Sequence, residues 1–208
     1  MNESRTARID FLGKLPKDSI VAEVGVWQGV HALDIHQTCY PKHLYLIDPW
    51  VWNGQWHIKH EKGNVEELAE VAFNRASGRF KGHENVSFIR EPSIQACGRF
   101  TDGFFDWVYI DADHRFKEVV EDLEAWWPKI KKGGYLSGHD FFESIHEQSL
   151  KDLDIPPTEK ERKENGVTKA LNMFSRKNKV EIGFTSTPVV TEDKPGAYHA
   201  QCWAIKKS

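Results

Sequence analysis

The chain has 208 residues, 39% hydrophobic and 28% charged, with a formal net charge of −3. That length suits a single α/β domain over 1–208, at roughly 150 residues per domain, and the charge excludes an overall pull toward nucleic acid or an anionic membrane. The three cysteines, Cys39, Cys97 and Cys202, show no C-x-x-C spacing, so zinc ribbons and redox pairs are excluded and reduced thiols of a cytoplasmic protein are expected.

In chain order, residues 3–14 read as a short leading helix, and MNESRTARIDFLGKLP lacks the apolar core of a secretory signal. Ile20–Val26 is a buried strand running into glycine-containing sequence, and 28–39 is a helix. Leu44–Ile47 is a second strand, ended by Asp48 and Pro49. The stretch 50–63 is a loop holding Trp50, Trp52 and Trp56; it reads equally as a lid or acceptor-pocket wall, or as core or dimer contacts. His57 and His60 in it are taken as solvent-facing. Residues 64–80 form a helix with Asn64 as N-cap. Val86–Arg90 is the third strand, 93–100 a short helix and Asp106–Ile110 the fourth strand.

The helix 115–130 carries a buried stripe of Val119, Val120, Leu123, Trp126 and Trp127. Gly133 and Gly134 are expected to end it, as C-terminal glycines do. Tyr135–Ser137 is the core of a fifth strand, and 150–166 is a polar, mobile loop. A helix over 167–177 precedes two closing strands, Val180–Phe184 and Gln201–Lys206, able to pair antiparallel. Apolar runs alternating with amphipathic ones predict a Rossmann-like α/β sandwich: seven strands, mostly parallel, with an antiparallel final pair. No run approaches the roughly 18 apolar residues of a membrane span.

Four strand ends carry chemistry. The first is Glu23-Val-Gly25-Val-Trp-Gln-Gly29. Glycines let the backbone turn tightly and approach a ligand, and ligands of open α/β sheets lie beyond the strand carboxyl ends. The middle glycine of G-x-G-x-x-G is missing, which opposes a pyrophosphate here, and the acid suits a positively charged ligand. The second is Asp48, 19 residues after Gly29, where an acid commonly accepts from ribose hydroxyls; before Pro49 it could equally be a turn former. The third and fourth are Asp111-Ala-Asp113-His114 and Ser137-Gly138-His139-Asp140. If these strands are neighbours about 4.8 Å apart, Asp111, His139 and Asp140 gather two carboxylates and an imidazole, donors for Mg²⁺ or a similar cation. Solvated strand ends, with Asp113 capping the next helix, are the plainer alternative.

EVGVWQG, LIDPW, DWVYIDADHRFKEVVEDL and GGYLSGHDF resemble class I S-adenosylmethionine-dependent methyltransferases, most closely the small metal-dependent O-methyltransferases of the caffeoyl-CoA, catechol and macrocin types. The resemblance spans roughly residues 18–145 and is most specific from Asp106 to Phe141. It implies that Glu23, Gly25 and Gly29 line the methionine part of S-adenosylmethionine, that Asp48 holds the ribose, and that Ser93 lies near the adenine. It places Asp111, His139 and Asp140 on the metal ligands, Asp111 also lining the cofactor, and His114 on the general base. The caffeoyl-CoA type has Asp-Asn where this chain has His139-Asp140, which alters the donor set.

The sulfonium methyl is already electrophilic, so the protein must align a nucleophile and remove its proton. A divalent metal would acidify a hydroxyl acceptor, and His114 would take the proton, with Asp113 orienting the ring or acting as base. The expected partner is a small-molecule acceptor, methylated on oxygen, with no nucleic acid or membrane partner; relatives often form homodimers. Competing readings are a nicotinamide dehydrogenase, opposed by the missing glycine, a non-catalytic cofactor binder, and a metal-free N-methyltransferase. A nucleic-acid methyltransferase is opposed by the lack of a dense basic stripe, although 158–163 and 176–179 hold local charge.

Overall fold

The computed structural model describes residues 3–51, 65–141, 166–184 and 201–208. The predicted N-cap Asn64, the aromatic loop beyond Val51, the polar segment before Gly166 and the 185–200 connection lie outside them.

β1 (Ile20–Val24), β2 (His43–Ile47), β3 (Val86–Ile89), β4 (Phe105–Ile110), β5 (Ile130–Phe141), β6 (Ile182–Phe184) and β7 (Gln201–Lys206) form a sheet ordered β3-β2-β1-β4-β5-β7-β6. The first five pair in parallel; β7 inserts antiparallel between β5 and β6. The expected Rossmann-like sheet with an antiparallel end is therefore present. The order reverses between β1 and β4, so their carboxyl ends flank the crevice where open α/β sheets bind ligands.

Residues along β4 alternate between two cores, as the two-residue strand period requires. Val108 and Ile110 face one layer, with Val119, Leu123 and Trp126 of α5 (Phe116–Lys129) and Ala170, Leu171 and Phe174 of α6 (Gly166–Asn178). Trp107 and Tyr109 face the other, with α1 (Glu3–Gly13), α2 (Val30–Cys39) and α3 (Val65–Arg79). A short α4 (Ser93–Cys97) completes the first layer. Trp126 is wholly buried and Trp127 packs partly buried against the same core. No helix among the described residues is long and apolar enough to cross a membrane.

The junction of α5 and β5 differs from expectation. α5 ends at Lys129, and Gly133 and Gly134 lie inside β5. Pro128 leaves the last helical turn without an N–H. Ile130 then turns extended, is fully buried and pairs with Phe105. The glycines serve the strand instead: Gly133 has φ +83°, and a Cβ on Gly134 would lie 2.4 Å from the Asp106 carbonyl. At the chain's end, Val180 is tied back to Ser175 of α6, its N–H donating to the carbonyl at 3.1 Å, so β6 starts at Ile182 rather than Val180.

Candidate functional site

The chain leaves β1 through Gly25, whose φ is +89°. A Cβ there would lie 2.1 Å from the Asp111 carbonyl oxygen, so only glycine lets the β1 and β4 ends meet. The Asp111 N–H donates to the Val24 carbonyl at 2.8 Å, locking the two ends together. Gly29, also left-handed, opens α2. Asp48 fixes this turn from β2: Oδ2 accepts from the N–H groups of Val26 and Trp27, both at 2.9 Å, and Oδ1 from Trp50 N–H at 2.7 Å. Trp50 is 2% exposed and donates Nε1–H to the Trp27 carbonyl at 2.8 Å, so this indole is part of the core.

Glu23 is 1% exposed on the same sheet face as Val21 and Tyr109. A buried carboxylate must be paired, and His31, in the first turn of α2, supplies the partner, with Nδ1 2.8 Å from Oε1. Tyr109 holds that imidazole with ring centroids 4.2 Å apart. Glu23 Oε2 and His31 Nε2 are both buried without a hydrogen-bond partner among the described residues. Burial pushes the Glu23 pKa up, and the His31 contact only partly offsets it. His31 is the residue that sequence reasoning missed; the available signal was an acid within an apolar strand, which demands a partner.

The β4 and β5 ends lie side by side, as Tyr109 pairs with Ser137 and Ile110 with Gly138. Ligand atoms of Asp111, His139 and Asp140 fall within 4.8 Å of one another. Asp140 takes φ +58°, rare for a residue with a side chain, at an irregularity between Gly138 and Phe141. Non-glycine residues in such backbone cluster at functional sites. His139 Nδ1 is 3.2 Å from Asp140 Oδ1, while its Nε2 is buried without a partner among the described residues. An oxygen–nitrogen–oxygen donor set with an orphaned imidazole nitrogen fits a divalent cation. His114 reaches the same carboxylates, with Nε2 3.0 Å from Asp140 and 3.5 Å from Asp111. Burial opposes its charge, but the Asp111 hydrogen bond and the charges of Asp140, Asp111 and Asp113 outweigh it, so its pKa lies above the ordinary value. The same pairing outweighs burial at Asp111, whose pKa is lowered. A small recess lined by Ile110, Asp111, His114, Val119, His139 and Val167 adjoins this group.

Two expected residues are hydrogen-bonded within the protein. Asp113 accepts from the Arg115 backbone and guanidinium at 2.7–3.0 Å, and so does not orient the His114 ring by a hydrogen bond. It is not the helix cap either: α5 is capped by Arg115, without a side-chain bond. The Ser93 hydroxyl donates to Asp122 and accepts from Trp126 Nε1 at 2.8 Å, binding α4 to α5.

Residues 22–141 match the model of a methyltransferase domain. The fold is shared with N-methyltransferase NodS from Bradyrhizobium japonicum WM9, at 12% identity and TM-score 0.59, covering 99% of this chain and 97% of that one. Cofactor-bound Rv0187 of Mycobacterium tuberculosis gives 14% identity and TM-score 0.60, covering 100% and 83%. M. jannaschii TYW2 in complex with AdoMet gives 12% and 0.55, covering 100% and 78%. No curated protein sequence matches the chain.

Proposed function

From the premise that the chain belongs to the methyltransferase-domain family and is an S-adenosylmethionine-dependent methyltransferase, we propose that it methylates a hydroxyl of a small-molecule acceptor beside a divalent cation held by Asp111, His139 and Asp140. The observation that carries this reading is the convergence of those three donors within 4.8 Å beyond the β4 and β5 ends. The net charge of −3 supports a small acceptor rather than a nucleic acid.

S-adenosylmethionine supplies an electrophilic methyl carbon on a sulfonium. The protein's part is to bind, align and deprotonate. Glu23 Oε2, a buried acceptor without a partner among the described residues, is suited to the α-ammonium of the methionine end. Gly25 and Gly29 let the backbone come close, Asp48 serves the ribose side, and Ser93 at the start of α4 lies toward the adenine. A divalent cation in the triad would acidify the acceptor hydroxyl. His114 takes the acceptor proton at Nε2, where Asp140 and Asp111 stabilise the resulting imidazolium. Asp113, held by Arg115, acts on that ring only through its charge.

The position of His114 also favours a second reading. A protonated imidazole between Asp111 and Asp140 can stand in for the cation, as a metal-free N-methyltransferase would need. Titrating Mg²⁺ and Mn²⁺ into the S-adenosylhomocysteine complex separates the two. The first reading expects one cation per chain, with affinity lost at least tenfold in Asp140→Asn while S-adenosylhomocysteine affinity stays within threefold. No cation binding to the wild-type complex would leave the second.

A further inference from the structure

α1 carries a guanidinium whose Nε–H has no partner among the described residues. Arg8 precedes Phe11 and Leu12 by three and four residues, so it shares the helix face buried on the sheet. Its Nε–H is buried without a hydrogen-bond partner among the described residues. One turn earlier, Arg5 makes a two-point pair with Asp34, at 2.6 and 3.1 Å. A guanidinium stays charged at any pH the protein meets, and leaving a charged donor buried and unpaired is costly. Such a group suits an anion brought by a ligand.

The helix packing places Arg8 beside the site. α1 and α2 run side by side in the same sense: Arg5 meets Asp34 in the first half of α2, and Cys39 Sγ–H donates to the Leu12 carbonyl at 3.4 Å near its end. α2 begins at the carboxyl edge of the sheet, so the early turns of α1 also lie toward that edge. Low on the sheet, Trp107 Nε1–H donates to the Pro16 carbonyl at 3.3 Å. From Gly13, the last residue of α1, back to Arg8 is five residues or roughly 7–8 Å of helix, matching the roughly 7 Å from Trp107 up to Tyr109 on β4. Long helical side chains lean toward the helix N-terminus, here toward the strand ends. Beneath lies the buried pair Tyr109 Oη and Cys202 Sγ, 3.5 Å apart, on which the Arg8 charge acts. Neither is its counter-charge: a phenol and a thiol bonded to each other bring no carboxylate to the guanidinium. The carboxylates of Asp111 and Asp140 are engaged with His114.

We infer that Arg8 is an anion-recognising residue of the site, taking a carboxylate from a bound ligand. The inference rests on the methyl-transfer reading. Two molecules could bring that group, the cofactor through its α-carboxylate or an acceptor that is itself a carboxylate.

The test uses the full chain with Arg8→Met and Arg8→Lys. Calorimetry with S-adenosylhomocysteine, and with 5′-methylthioadenosine, which lacks the amino-acid end, addresses the cofactor. Benzoate titrated into the S-adenosylhomocysteine complex addresses the acceptor. With the cofactor carboxylate as partner, Arg8→Met weakens S-adenosylhomocysteine at least tenfold, leaves 5′-methylthioadenosine unchanged, and Arg8→Lys recovers part of the loss. With an acceptor carboxylate as partner, S-adenosylhomocysteine affinity stays within threefold and benzoate binding, present in the wild type, is lost in Arg8→Met. Unchanged S-adenosylhomocysteine affinity together with unchanged or absent benzoate binding overturns the inference. So does a ligand-free Arg8→Met chain that melts well below wild type, since removing an unpaired buried charge should leave Tm equal or higher. Failure of the wild type itself to bind S-adenosylhomocysteine would strike the methyl-transfer reading instead.

Discussion

Asp122 lies buried where α5 meets α4, accepting the Ser93 hydroxyl, and burial raises its pKa to about 6 from an ordinary 3.8. At pH 3 and below, both folded and unfolded chains largely hold its proton. Above that the unfolded chain releases it first, so stability falls as pH rises toward 6 and stays lower beyond. A shift of two pKa units corresponds to about 3 kcal/mol as an upper bound. Asp122→Asn should therefore equal wild type near pH 3 and exceed it by about 1–3 kcal/mol at pH 7.5 in urea unfolding. A variant no more stable at pH 7.5 than at pH 3, relative to wild type, would contradict this. At the site itself, His114→Ala should lower kcat by about 10²–10⁴, the usual contribution of a general base. Asp113→Asn should cost less than about tenfold, because its carboxylate is already spent on Arg115. Single-turnover methyl transfer measures both, and an unchanged kcat in His114→Ala would remove that residue from the reaction.

At the scale of elements, the close approach of β1 and β4 does the positioning. Gly25→Ala would place a methyl 2.1 Å from the Asp111 carbonyl oxygen in a backbone with φ +89°. Separating the two strand ends should cost about 2–4 kcal/mol of stability and at least tenfold in S-adenosylhomocysteine affinity. Wild-type affinity in that variant would mean that the juncture does not shape the cofactor site. The strand ends were legible in the sequence because each joins a short apolar run to a glycine or an acid, a change of character that packing cannot produce. Gly133 and Gly134 misled because a glycine pair marks helix ends and close strand contacts alike, and only the Phe105–Ile130 pairing decides between them. His31 was illegible for a related reason: a lone histidine on a helix reads as packing until its neighbour is known to be the buried Glu23. Arg8 was hidden likewise, since the missing partner of its Nε among the described residues is a property of the packed helix face. At Asp113 the sequence shows the neighbour His114, whereas the hydrogen bonds go to Arg115.

For the whole molecule, the strand order β3-β2-β1-β4-β5-β7-β6 gathers chemistry from distant stretches of chain at one sheet edge. The turn after β1, Asp48 after β2, Asp111 after β4 and the His139–Asp140 pair at the end of β5 all meet there. The alternating pattern made that edge predictable, because parallel strands joined by helices leave their carboxyl ends on one side. The antiparallel β7 between β5 and β6 closes the sheet and places Trp203 against β5, where its Nε1–H donates to the His139 carbonyl at 3.0 Å. What could not be read was which side chains at the edge pair with each other, since that depends on rotamers and on Asp140 adopting φ +58°. The central claim is that this edge binds S-adenosylmethionine. Calorimetric titration of the purified chain with S-adenosylhomocysteine tests it most directly: micromolar binding at one site per chain is the predicted result, and no detectable heat from a folded, ligand-free sample would contradict it.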